Sequence, residues 1–282
     1  MINTVVSDQL QETFEDIITL HGIMSLLVSI ISHNQGNFVY SLLKDIQQFC
    51  PHQEMEVIVT LNCMEKIPFT EKDFDFKLVI IQNLHPKGFG ANHNAAFKLK
   101  PSDFFGVLNP DLKLTQDPFQ PLMARLADRQ IGVIAPLIFN EDHSIEDSAR
   151  RLPTPFRLFW RNISGGKEAK FDYKIGNSFF FPDWVAGIFM LFQRTVFAEM
   201  NGFDERFYLY FEDVDLCSRL RLSGYKVVLD PSISVVHEAR RDSHKNIRYF
   251  MWHILSGLRF FSSRVFMECL LNRSNKMVNP PL

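Results

Sequence analysis

Hydrophobic and polar positions fall into two alternating periods along the first half of the chain. Ile23 to Ile31 is an almost unbroken apolar run that ends in Ser32-His33-Asn34-Gln35-Gly36-Asn37, the pattern of a strand buried on both faces that opens into a polar loop. Phe38 to Phe49 has helical apolar spacing. Glu56–Leu61 and Lys77–Gln82 are β-branched runs that stop at Asn62-Cys63 and at Asn83. Ala91–Leu99 predicts a helix and Phe104–Leu108 a fourth strand, ending at Asn109-Pro110-Asp111. Asp117-Pro118 opens a helix through Leu126, and Ile131–Ile138 predicts a fifth strand. Strands alternating with helices predict an α/β fold with a mostly parallel sheet. Ligands of such sheets bind beyond the carboxyl ends of the strands, so His33, Asn62, Asn83, Asn109 and Asp111 are expected along one edge.

The second half is less regular. Residues 140–182 have weak periodicity and carry Arg150, Arg151, Arg157, Arg161, Lys167, Lys170 and Lys174, which suggests a long excursion or flexible loop. Val185–Phe192 predicts a buried strand. Glu212–Ser223 predicts a helix stopped by Gly224, and short strands are expected at Lys226–Leu229 and Ser232–Val236, around Asp230-Pro231. Asn246–Phe266 mixes apolar and aromatic residues with Arg248, Arg259 and Arg264; such a helix suits a membrane surface or a partner, and equally well packs on its own domain. Ser7–Leu20 predicts a short amphipathic helix with Leu10, Phe14, Ile17 and Ile18 on one face. The expected division is an N-terminal extension (1–22), an α/β domain (23–240) and a C-terminal amphipathic helical segment (241–282).

Composition narrows the classes. With 282 residues, 46% of them hydrophobic, the chain can bury one large core with an appendage. A net charge of −2 provides no basic field for nucleic acid. Cys50, Cys63, Cys217 and Cys269 are scattered, with neither zinc spacing nor a disulfide framework, so reduced thiols and a cytoplasmic location are expected. Residues 1–20 contain acids and no basic residue, unlike a secretion signal, and no apolar run reaches the length of a membrane span.

Four stretches carry candidate chemistry. Trp184-Val185-Ala186-Gly187 leads through a Gly202-Phe203-Asp204-Glu205 turn to Glu212, Asp213 and Asp215 beside Phe207, Tyr208, Tyr210 and Phe211. Carboxylates against apolar walls are costly to ionise and belong to acid/base chemistry, or else form the acidic first turn of a helix. Gly88-Phe89-Gly90, followed by Asn94, opens a helix, as a phosphate-binding loop or a plain turn would. Asn109-Pro110-Asp111 offers hard oxygen ligands for magnesium or manganese, or a turn. His237, at the end of an apolar strand, is either structural or a ligand.

In order and spacing, these residues resemble the family-2 inverting glycosyltransferases with the GT-A fold, in particular the bacterial O-antigen rhamnosyltransferase branch. The matching segments are Val28 to His33, Gly88 to Asn94, Leu108 to Asp111, Asp183 to Arg221 and Val235 to His237. The resemblance implies a Rossmann-like, mostly parallel central sheet flanked by helices, with a C-terminal helical appendage. It implies that Ser29, His33 and Asn62 border the nucleotide base and ribose, and that Gly88, Phe89, Gly90 and Asn94 hold the diphosphate side. Asn109 and Asp111 stand where the family has its Asp-x-Asp metal motif, with His237 as a further ligand of Mg2+ or Mn2+. Asp213 would be the general base, Glu212 and Asp215 would support it or bind acceptor, and Trp184, Ala186 and Gly187 would shape the sugar pocket. The implied activity is transfer of a sugar, foremost L-rhamnose from dTDP-rhamnose, to a saccharide on a polyprenyl diphosphate at the inner face of the cell membrane. Alternatives are a hexose or N-acetylhexosamine from a UDP-sugar, or a sugar-nucleotide-binding protein without catalysis; a homodimer is left open.

Overall fold

The computed structural model describes residues 24–51, 54–155, 179–238 and 247–278. The expected helix at 7–20, the domain boundaries at 22/23 and 240/241, and the basic residues from Arg157 to Lys174 lie outside these. The strands are β1 (Ser25–Ser32), β2 (Glu54–Leu61), β3 (Lys77–Gln82), β4 (Phe104–Leu108), β5 (Leu112–Lys113), β6 (Ile131–Asn140), β7 (Ala149–Arg150), β8 (Trp184–Val185), β9 (Phe189–Gln193) and β10 (Lys226–His237). The helices are α1 (Gly36–Phe49), α2 (Phe89–Leu99), α3 (Phe119–Arg125), α4 (Arg194–Glu199), α5 (Glu212–Leu222), α6 (Ile247–Phe261) and α7 (Arg264–Val278).

Eight strands form one sheet in the order β3-β2-β1-β4-β9-β6-β10-β5. β3, β2, β1 and β4 run parallel, β9 is antiparallel to both its neighbours, β6 and β10 are parallel to each other, and β5 returns antiparallel along β10. Two reversals around β9 restore the original direction in β6. The carboxyl ends of β1, β2, β3, β4, β6 and β10 therefore share one edge of the sheet, as does the amino end of β9. That single fact brings His33, Asn62, Asn83, Asn109, Gly187 and His237 to the same side. The core is apolar on both faces of the sheet: Val28, Ile30, Val57 and Val59 pack with α1 residues such as Leu42, and Leu27, Val107, Met190 and Phe192 pack with Phe197 and Leu216. The runs read as buried strands are buried here because helices cover both faces.

Three sequence expectations need correction. Val185–Phe192 is not one strand: it splits at Ala186-Gly187-Ile188 into β8, which pairs with β7, and the antiparallel β9. An apolar run cannot reveal this, because β8 and the sheet strand are equally apolar. Lys226–Leu229 and Ser232–Val236 are parts of the single strand β10, whose register along β6 shifts between Asp230 and Ser234. The Asp230-Pro231 irregularity is a bulge, tolerated because Asp230 takes up the amide and hydroxyl of Ser232. The helix expected over 246–266 is two helices, broken at Ser262-Ser263, where the Ser262 hydroxyl bonds back to the Leu258 carbonyl and Ser263 Oγ accepts the Phe266 amide.

The C-terminal helices pack on the domain through a third cluster, in which Phe207, Phe211 and Val214 meet Phe260, Phe266 and Cys269. Phe260 is fully buried and sits 5.7 Å, centroid to centroid, from Phe211.

Candidate active site

The acidic segment enters α5 through an unusual turn. Tyr210 and Phe211 both have left-handed backbones, φ 70° and 67°, a conformation that costs a bulky residue about 1–3 kcal/mol. The surroundings hold it. The Phe211 ring packs among Phe260, Phe261 and His253, and Ser256 Oγ donates to the Leu209 carbonyl at 2.9 Å. The turn aims Glu212 and Asp213 out of the first turn of α5, while the helix stops as expected at Gly224, φ 90°.

Asp213 lines a cavity of about 400 Å³ together with Phe89, Asn109, Glu146, Trp184 and Gly187, and the lining also includes Arg150, Tyr210 and His253. Its Oδ2 accepts the Gly187 amide at 3.0 Å and its Oδ1 the Val214 amide at 2.8 Å. Burial lifts its pKa above the ordinary carboxylate value, and these two hydrogen bonds and the charge of Arg150 oppose the lift. A carboxylate so placed stays fixed in direction yet binds a proton more readily than a solvated aspartate. Glu212 beside it is buried, and burial followed by the charge of Asp213 pushes its pKa well up. Its Oε2 is buried and has no hydrogen-bond partner, a polar atom whose burial is left uncompensated.

A second cavity of about 210 Å³ adjoins the first and shares Phe89, Asn109 and Leu209 with it. Its remaining wall includes His33, Asn62, Lys87, Asp111, Tyr249 and Trp252. The pairing of β5 with β10 sets Leu112 opposite His237, which puts Asp111 beside the histidine. His237 Nε2 lies 3.1 Å from Asp111 Oδ1, and its Nδ1 lies 2.8 Å from Glu146 Oε2. Burial works against charge on His237, but hydrogen bonds to Asp111 and Glu146 and then their charges outweigh it, raising its pKa to about 9. A carboxylate on Nδ1 directs Nε2 at a second carboxylate, an arrangement that suits a divalent cation held by Asp111 and His237. Among the described residues no three His, Cys, Asp or Glu side chains are arranged to hold a metal ion by themselves, so a bound cation would complete its shell with diphosphate oxygens or water.

The glycine-rich loop serves close packing. A Cβ at Gly88 would stand 2.8 Å from the Tyr208 carbonyl oxygen, and one at Gly90 would stand 2.6 Å from Phe203 Cβ. The bare backbone lets the Phe89 amide donate to the Tyr208 carbonyl at 2.9 Å, which places the Phe89 ring between the cavities. Asn62 grips the loop from below: its Oδ1 accepts the Lys87 amide at 2.8 Å and its Nδ2 donates to the Lys87 carbonyl at 2.9 Å. Asn83 links Asn62 to Asn92.

Of the residues singled out in the sequence, His33, Asn62, Phe89, Asn109, Asp111, Trp184, Ala186, Gly187, Glu212 and Asp213 line one or both cavities. His237 stands behind Asp111 and Glu146. Others lie outside both cavities. Ser29 is buried in mid-strand, 2.8 Å from His93 Nδ1. Asn94 clamps both backbone groups of Phe203. Asp215 pairs with Arg219 at 2.8 Å, whose other nitrogens hold the carbonyls of Met200 and Gly202; it braces the turn before α5. Gly88 and Gly90 act through the packing just described. Sequence reasoning missed Glu146, Tyr249, Trp252 and His253. The last three share one helical face, a readable signal. Glu146 lies in the irregular stretch after β6 and has none.

The comparisons with known proteins agree with this architecture. The profile of Glycosyl transferase family 2 matches residues 27–196. The rhamnosyltransferase WbbL of Escherichia coli K12 is 28% identical over 204 residues, covering 68% of this chain and 77% of that protein. The N-acetylglucosaminyl-diphospho-decaprenol L-rhamnosyltransferase of Mycobacterium tuberculosis is 32% identical over 143 residues, 48% of this chain and 47% of that protein. Among solved structures, the mannosyltransferase PcManGT of Pyrobaculum calidifontis, with GDP-mannose and Mn2+, superposes with a TM-score of 0.58 at 15% identity, covering 85% of this chain and 65% of that one. GalNAc-T7, with UDP, GalNAc and Mn2+, gives 0.57 at 17% identity, covering 78% of this chain and 44% of that one. A shared fold and a family match over more than half of its length agree: the chain is a GT-A-fold glycosyltransferase and belongs to glycosyl transferase family 2.

Proposed function

We propose that this enzyme transfers L-rhamnose from dTDP-β-L-rhamnose, with inversion, to a saccharide carried on a polyprenyl diphosphate, at the inner face of the cell membrane. The observation that carries the reading is the pair of adjoining cavities, one with Asp213 in its wall and the other with Asp111 backed by His237. The smaller would take the nucleoside diphosphate, with Trp252 and Tyr249 offering aromatic faces to the base and Lys87 a positive charge. The larger would take the acceptor. The choice of rhamnose and of a lipid carrier draws on the names of the Escherichia coli and Mycobacterium tuberculosis relatives.

In the reaction an acceptor hydroxyl attacks the anomeric carbon while Asp213 takes its proton. The bond from that carbon to the diphosphate oxygen breaks, and the single displacement turns a β-linked donor into an α-linked product. Glu212, in the wall of the same cavity, orients the acceptor beside the base. Asp111 and His237 would hold Mg2+ or Mn2+, which supplies charge to stabilise the departing diphosphate.

The test is nucleotide release from dTDP-, UDP- and GDP-sugars with and without manganese, alongside Asp213→Asn. Expected is turnover with dTDP-rhamnose, and in the variant a fall of about 10²–10⁴-fold in transfer with nucleotide binding retained. Normal transfer by Asp213→Asn removes the base assignment, and preference for a UDP-hexose removes rhamnose.

A further inference from the structure

Helix α6 has two unlike faces. Tyr249, Trp252 and His253 look inward and line the two cavities, and Ser256 and Phe260 on the same side are buried. On the opposite side Ile247, Phe250, Met251, Ile254, Leu255 and Leu258 are between 46% and 73% exposed. Their spacing makes one continuous stripe along the helix, and Met267 and Leu271 of α7 add two further exposed apolar side chains. Scattered exposed apolar residues are ordinary on a protein surface; six on one face of one helix are not.

We infer that this stripe docks on an anionic lipid surface. Charge selects that occupant. Residues 240–282 contain eight basic and only two acidic residues, although the whole chain has a net charge of −2. Arg248 and Arg259, both exposed, follow on one border of the stripe. An apolar face rimmed by arginines fits acyl chains beneath anionic headgroups. A second copy docking on the same face with its helix antiparallel would bring the two arginine rims together, and like charges there oppose the contact. The inference rests on the proposed lipid-linked acceptor only for its purpose. Because the inner face of α6 walls the cavities, a docked α6 holds them within one helix diameter of the headgroups, where a polyprenyl diphosphate presents its sugar.

Flotation of the full-length protein with phosphatidylglycerol-rich and with pure phosphatidylcholine vesicles tests this, with Phe250→Ser/Leu255→Ser/Leu258→Ser as the variant. These side chains are exposed, so helicity and nucleotide binding should be unchanged. Expected is binding to the anionic vesicles that weakens with salt, and a loss of about tenfold or more in the variant, from the apolar burial forfeited. The inference is overturned if the wild type stays free of anionic vesicles, if the variant binds equally well, or if light scattering shows a dimer that the variant dissolves. Sugar transfer does not enter this measurement. A wrong donor or base assignment therefore leaves it intact, and failed docking leaves those assignments standing.

Discussion

Removing one carboxylate from His237 tests the two-acid cradle at the end of β10. In Glu146→Gln the amide oxygen still accepts a hydrogen bond from Nδ1, so the geometry is kept and the charge is lost. With divalent cations chelated, the pKa of His237 stands at about 9 against an ordinary 6.5, a displacement equivalent to about 3 kcal/mol. Because the folded-state value is the higher one, this stabilisation is complete below about pH 6.5 and is lost as the pH rises through about 9. Asp111 supplies part of it and Glu146 the rest. Hydrogen bonds to charged acceptors are roughly twice as strong as neutral ones, so the substitution should cost about 1 kcal/mol at low pH. In a chain of this size that lowers Tm by about 2–4 °C. Thermal unfolding in EDTA at about pH 6 and about pH 10 separates the charge effect from simple damage, since the linkage vanishes above the folded-state pKa. A fall in Tm at the lower pH only is the expected result. Equal falls at both, or none at the lower, would refute the assignment of Glu146 as the group that charges His237.

Other outcomes follow from packing. Gly88→Ala sets a methyl 2.8 Å from the Tyr208 carbonyl oxygen and 3.0 Å from its Cα; both are backbone, so it should cost about 1–3 kcal/mol by chemical denaturation and displace Phe89, weakening nucleoside diphosphate binding by calorimetry. Unchanged stability would mean that the loop is not held as described. Asp215→Asn leaves the largely buried Arg219 guanidinium without its carboxylate, and should lower unfolding free energy by about 3 kcal/mol while nucleotide affinity is kept; a stable but inactive variant would instead move Asp215 into the chemistry.

The site was legible in the sequence where chemistry and strand ends coincide. Asn62, Asn109 and Asp111 each follow an apolar run, and a run that ends in polar residues marks both a buried strand and its exposed carboxyl end. Asp213 stood out because three acids among aromatics are costly to bury, and the structure sets it in the wall of the larger cavity. Where the reasoning strayed, one residue type had two uses. Ser29 and Asn94 are polar residues near a motif, but one bonds to His93 inside the sheet and the other clamps a turn, and nothing local separates those uses from ligand contact. Asp215 sits two positions from Asp213 on α5, and the helical twist alone turns it away from the cavity towards Arg219.

The order of apolar runs, polar strand ends and glycine positions determined the α/β class, the family and most of the residues at the candidate site's edge, since each is written in neighbouring residues. Only the tertiary structure decided that β9 runs against its neighbours, that Glu146 reaches His237 across 91 positions, and that α6 walls the cavities with one face while leaving the other bare. These are pairings between distant segments. Their free energy comes from burial and hydrogen bonds that exist only once the sheet has closed, and no local pattern records them.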